Sequence, residues 1–149
     1  MKKLFPVLGL ALFSVMSPLW ADAGGGMIES RFHAALNNIV QEVQAAKTPL
    51  EKREILHRTA VHVAQGVEQA KLVLTLNDAD VISLGAVQKK FETYQAELDG
   101  KNGFTPVADA DLNNFAVYMQ QDMEQAGGEG IYLSGGALII IVLLLILIF

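Results

Sequence analysis

The chain has 149 residues, a hydrophobic fraction of 52%, a formal net charge of −5 and no cysteine. The missing thiols exclude disulfides, thiolate metal sites, c-type haem attachment, a lipid-modified cysteine at a signal junction and a cysteine nucleophile. The acids gather late, where Glu92, Glu97, Asp99, Asp109, Asp111, Asp122, Glu124 and Glu129 meet only Lys101, so the surface repels phosphate backbones and nucleic acid is not an expected partner.

The apolar residues concentrate at the two ends. Met1-Lys2-Lys3 is a short basic start, Leu4 to Met16 is an apolar run broken by Pro6 and Ser14, and Ala21-Asp22-Ala23 supplies small residues where a signal peptidase reads. This layout predicts a cleavable secretory signal over residues 1–23 and an exported domain over 24–126.

Four amphipathic helical segments are predicted in that domain. In the first, Ile28, Phe32, Leu36, Ile39 and Val43 recur at spacings of four and three. Thr48-Pro49-Leu50-Glu51 then opens the second: threonine caps, proline suits the first helical position, and glutamate three residues on completes a capping box. Its seam is Leu56, Ala60, Val63, Val67, Ala70 and Leu74. Asn77-Asp78-Ala79-Asp80 offers caps for the third, whose seam Leu84, Val87, Phe91, Tyr94 and Leu98 ends at Asp99-Gly100. Thr105-Pro106 or Asp109 opens the fourth, with Leu112, Phe115, Met119 and Met123 facing inward. Gly66 and Gly85 fall inside helices, where each costs about 1 kcal/mol relative to alanine and marks a candidate close contact. Short connections favour antiparallel neighbours, so the expected fold is all-α, a small up-down bundle of four helices.

Gly127-Gly128-Glu129-Gly130 is the expected hinge over residues 127–130. Ile131 to Phe149 follows, 19 residues with no charge and with only Tyr132 and Ser134 polar. As a helix it would cover nearly the roughly 30 Å hydrocarbon core, which predicts a single transmembrane anchor over 131–149. The two ends together place the domain in the periplasm or otherwise outside the cytoplasmic membrane, with the C-terminus at the cytoplasmic face. No Lys or Arg flanks the tail, so this orientation rests on the signal rather than on the positive-inside pattern.

Candidate chemistry is sparse. His33 and His62 lie almost equally far from the connection between the first two helices, so an antiparallel hairpin would set them at one level, and Glu29 could join them in a metal site. Two histidines are too few for structural zinc, and the plainer reading places both at the edge of the seam. Met27, Met119 and Met123 are simpler as core filler than as haem ligands, since no histidine lies on the fourth segment. Asp78/Asp80 and Asp109/Asp111 read as helix-start acids rather than calcium ligands. No Gly-x-Ser-x-Gly stretch or phosphate-cradling loop occurs, and no enzymatic activity or cofactor is expected. Lys47, Lys52, Arg53 and Arg58 surround the first turn as a solvated face or a contact for acidic ligands or lipid headgroups. The function expected is therefore that of a membrane-tethered, envelope-facing helical module, touching lipid through its C-terminal helix and acting by protein–protein interaction or self-association. Gly135, Gly136 and Ala137 would let two anchors approach closely. The alternative is a small metal- or cofactor-binding bundle using the His33/His62 level.

Overall fold

The computed structural model describes residues 26–125 and 133–148. The expected signal over 1–23 and hinge over 127–130 lie outside these residues. All regular structure among the described residues is helical: α1 over residues 26–45, α2 over Pro49–Val73, α3 over Asp78–Asp99, a 3-10 turn over Asp109–Asp111, α4 over Leu112–Gln125 and α5 over Gly135–Ile146.

Local chemistry sets the boundaries. Thr48 Oγ1 accepts the Glu51 amide at 3.2 Å while the Glu51 carboxylate reaches back to the Lys47 amide at 2.9 Å, so the capping box starts α2 with Pro49 in its first turn. Asn77 caps α3 by accepting the Asp80 amide at 2.8 Å. Gly100 ends α3 at φ +72°, and a Cβ there would meet Pro106 at 2.3 Å, so both backbone angle and space require glycine. Arg53 of α2 secures the connection that follows, donating to the Leu98 carbonyl (3.1 Å), the Val107 carbonyl (2.7 Å) and Asp109 (3.1 Å).

The four seams pack into one core. Ile28, Phe32, Leu36, Ile39 and Val43 of α1 join Leu56, Ala60, Val63 and Val67 of α2, Leu84, Val87, Phe91, Tyr94 and Leu98 of α3, and Leu112, Phe115, Met119 and Met123 of α4. Leu36 and Ile39 face Phe91 across to Ala116, Met119 and Met123, so α1 lies against both α3 and α4. Leu74 departs from expectation: α2 stops at Val73, Leu74 turns extended, and its side chain is exposed.

The larger difference concerns the tail. No helix among the described residues is long and apolar enough to cross a membrane. The segment expected as a transmembrane anchor is described over 133–148, and there it forms α5, a fifth helix seated on α2 and α3. Ala137, Ile141, Val142 and Leu145 are buried in the common core. The expectation assumed that a rod apolar on every side must be surrounded to be accommodated. The bundle covers one side of α5 and leaves the rest half-buried: Leu138, Ile139, Ile140, Leu144 and Ile146 only lean on the core.

Candidate functional site

The seat of α5 joins polar and steric contacts on α2 and α3. Ser134 begins it. Its hydroxyl accepts the Ala137 amide at 3.3 Å, capping α5, and donates to Asp80 Oδ1 at 2.6 Å. Its own amide donates to Ser83 Oγ at 3.1 Å. Asp80 and Ser83 belong to the first turns of α3, and all three side chains are buried. A buried carboxylate needs hydrogen bonds and a favourable field, and here the N-terminal turn of α5 supplies both. The approach is possible because residue 136 is glycine: a Cβ there would lie 2.6 Å from one Asp80 oxygen and 2.7 Å from the other. Farther along, Gly66 of α2 receives Leu144, whose methyl would stand 2.3 Å from a Cβ at that position.

Sequence reasoning gave Asp80 a capping role, but Asn77 caps α3 and the Asp80 carboxylate serves α5. Gly136 and Ala137, read as a surface for a second anchor, face α3 and the core of their own chain. The signal that could have found the seat was Ser134-Gly135-Gly136, a capping residue followed by two small ones inside an otherwise apolar run. Gly85, the other glycine within a helix, has open space around it.

A second polar cluster ties α3 to α4. Asp122 accepts from Lys90 Nζ at 2.7 Å and from the Tyr94 hydroxyl, and Tyr118 reaches Glu97 at 3.4 Å. Tyr94 packs edge-on against both Phe91 and Tyr118. Burial alone would raise the Asp122 carboxyl, but the two hydrogen bonds and the Lys90 charge outweigh it and hold it below the usual carboxylate range. Burial raises Glu97, and the Asp122 charge adds to that against opposing contributions from Tyr118 and Lys90. The Tyr118 hydroxyl is pushed up to about 12 by burial and by the carboxylates beside it, and Tyr94 is raised further by burial and its bond to Asp122.

At the opposite end of the bundle from the α5 cap, a shallow cleft of about 440 Å³ is lined by Leu50, Arg53, Glu54, His57, Arg58 and Asp99. His57 Nδ1 stands 3.5 Å from Asp99. The basic residues expected to form a ligand patch here are partly engaged within the fold, since Lys52 donates to Asn113 at 2.7 Å and Arg53 clamps the loop.

Both candidate metal histidines lie among the described residues. His33 lies 3.3 Å from Glu124 of α4 and 3.9 Å from Glu29, beside a cleft that also includes Phe32, Leu133 and Leu138. His62 Nε2 is buried with no hydrogen-bond partner among the described residues. Among the described residues no group of three or more His, Asp or Glu side chains is placed to hold a metal ion. No family model, curated protein or solved structure matches the chain.

Proposed function

We propose that the chain is an exported helical module, tethered to a membrane through residues 131–149, that acts by binding another protein or a second copy of itself. The observation that carries this reading is the mismatch between α5 and its seat. The helix is apolar around its whole circumference, yet the bundle buries only Ala137, Ile141, Val142 and Leu145 among its side chains. A helix that belonged only to a water-facing bundle would carry polar residues on its outer side. The outer side of α5 offers Leu and Ile instead, a surface suited to lipid or to another apolar helix.

Magnitudes allow the tail two homes. Full burial of Ile141, Val142 and Leu145 contributes at most about 5–9 kcal/mol to the seat. Moving the nine Leu, Ile and Val residues from Leu138 to Ile146 into hydrocarbon contributes on the order of 3–5 kcal/mol on an insertion scale. These values are close enough for the tail to rest on α2 and α3 away from a bilayer and to enter one when it is offered. As α5, its 12 residues span only about 18 Å, so insertion requires the helix to lengthen beyond its Ser134 cap. The reading assigns no catalysis, and its topology keeps the domain outside the cytoplasmic membrane.

Extraction of native membranes with alkaline carbonate tests the tether. The full chain is expected to stay with the membrane pellet, and the intact mass of the retained species is expected to begin near Gly24 and end at Phe149. Quantitative release into the supernatant would overturn the tether.

A further inference from the structure

The bundle has two unlike ends. At one, the connection between α2 and α3 displays Leu72, Val73, Leu74, Val81 and Ile82. Leu72, Val73 and Ile82 are 72%, 74% and 72% exposed. At the other end the exposed apolar residues Leu50 and Phe104 are separated among ions that include Lys47, Glu51, Arg58 and Lys101. Isolated apolar side chains are ordinary on a protein surface, whereas five around one connection form a patch that calls for a partner.

Three contacts place this tip where the terminal segments meet the bundle. Ser134, at the start of the tail helix, is held by Asp80 and Ser83 in the first turns of α3, next to Val81 and Ile82 in sequence. His33 near the start of α1 pairs with Glu124 near the end of α4. Both line a cleft with Leu133 and Leu138. The start of α1, the end of α4 and the start of the tail helix therefore lie at the end that carries the exposed Leu, Val and Ile side chains.

We propose that this tip inserts into the interfacial layer of a lipid bilayer, an inference that rests on the membrane tether proposed above. A tail that leaves its seat for the bilayer stays joined in sequence to the end of α4, at this same end of the bundle, and so brings the α2–α3 connection against the headgroups. Leu72, Val73 and Ile82 can then be buried there without unfolding anything. The charges at the tip specify which bilayer. Lys71 is paired with Glu68 at 3.7 Å, Asp78 is exposed, and Asp80, released when Ser134 departs, adds a further acid. Among the described residues the tip has no basic excess to attract anionic lipid, so it reads a neutral, zwitterionic surface and binds it with little dependence on salt.

The absence of cysteine makes the test direct. Single-cysteine full-length chains, Val73→Cys, Ile82→Cys and Lys47→Cys, are labelled with an environment-sensitive fluorophore and mixed with phosphatidylcholine vesicles containing a quencher in the upper acyl region. Position 47 precedes α2 at the ion-rich end, and the 25 residues of α2 separate the ends by roughly 37 Å. Each labelled chain is first shown to retain the helicity and unfolding temperature of the unlabelled protein. Quenching at positions 73 and 82 is expected to exceed that at position 47 by at least about threefold, alike at low and high salt. Equal quenching at all three positions, in chains that float with the vesicles, would overturn the tip and leave the tether standing. Failure of every chain to float would remove the tether and the tip with it. Burial of the 73 and 82 probes without vesicles, rising with protein concentration, would assign the patch to a second copy and overturn its assignment to lipid.

Discussion

Single side chains decide how α4 is held. Asp122 is the acceptor for both Lys90 and Tyr94, so its carboxylate form belongs to the folded state. Its depressed folded value contributes stability that is present above the ordinary carboxylate range and lost as pH falls through the lowered value. Glu97 has the opposite sign: its raised folded value contributes stability below the ordinary range that is lost as pH rises through the raised one. The two act in separate windows, Asp122 below the ordinary carboxylate range and Glu97 above it, so the acid limb of the stability profile belongs to Asp122. Tyr94→Phe removes one donor from Asp122 while Lys90 remains, and should cost about 1–2 kcal/mol at neutral pH. Without that donor Asp122 moves back toward its ordinary value, so less stability is lost on acidification. The difference between variant and wild type in urea unfolding is therefore expected to be largest at pH 7 and to shrink toward pH 3. A constant difference across that range would mean that the hydroxyl contributes only packing.

At the scale of helices, the two internal glycines separate by their neighbours. Gly85 of α3 has nothing within reach of an added methyl, whereas Gly66 of α2 would press one against Leu144. Gly85→Ala should therefore yield the full helix-propensity gain, about 1 kcal/mol, and raise the unfolding temperature by roughly 3–4 °C. Gly66→Ala gains the same propensity but displaces Leu144 from its seat, so its net effect should be near zero, with faster amide exchange confined to α5. Equal stabilisation by both substitutions would show that Leu144 gives way freely. The same contrast explains what the sequence made readable. Period-3.6 seams predict burial wherever a polar face exists to set the phase, and every predicted seam residue from Ile28 to Met123 except Leu74 is buried. The caps at Thr48 and Asn77 and the stop at Gly100 were equally legible. The tail has no polar face, so periodicity is silent about which side it buries. Its contact with Gly66, Asp80 and Ser83 depends on tertiary approach, and no spacing along the chain encodes that. Hairpin level can be counted from a turn, but rotation about the helix axis cannot, so the pairing of His33 with Glu124 of α4 was not legible in the sequence.

For the whole molecule, the consequence of α5 is a competition between its own bundle and a bilayer. Insertion from the seated form requires α5 to leave first, so its rate follows the small population in which the tail is free. The latch at Asp80 sets that population. Gly136→Ala places a methyl within 2.6–2.8 Å of the Asp80 carboxylate, which must swing away and give up the Ser134 hydroxyl. The helix propensity gained by alanine is common to the seated and inserted helix and cancels from the comparison. Loss of the latch hydrogen bond should cost the seat about 1–2 kcal/mol, which raises the free-tail population, and hence the rate of insertion into neutral vesicles, roughly five- to thirtyfold. Asp80→Asn is the companion variant, since it removes the charge at the start of α5 without adding bulk, and it should accelerate insertion in the same direction. Hydrogen exchange supplies the second reading: on addition of vesicles, amides of α2 around Gly66 and of α3 around Ser83 should lose protection as the tail departs. Unchanged insertion rates in both variants, with α5 amides exchanging faster, would mean that the seat loosens without feeding the membrane. The contact between Ser134 and Asp80 would then belong to the stability of the bundle alone.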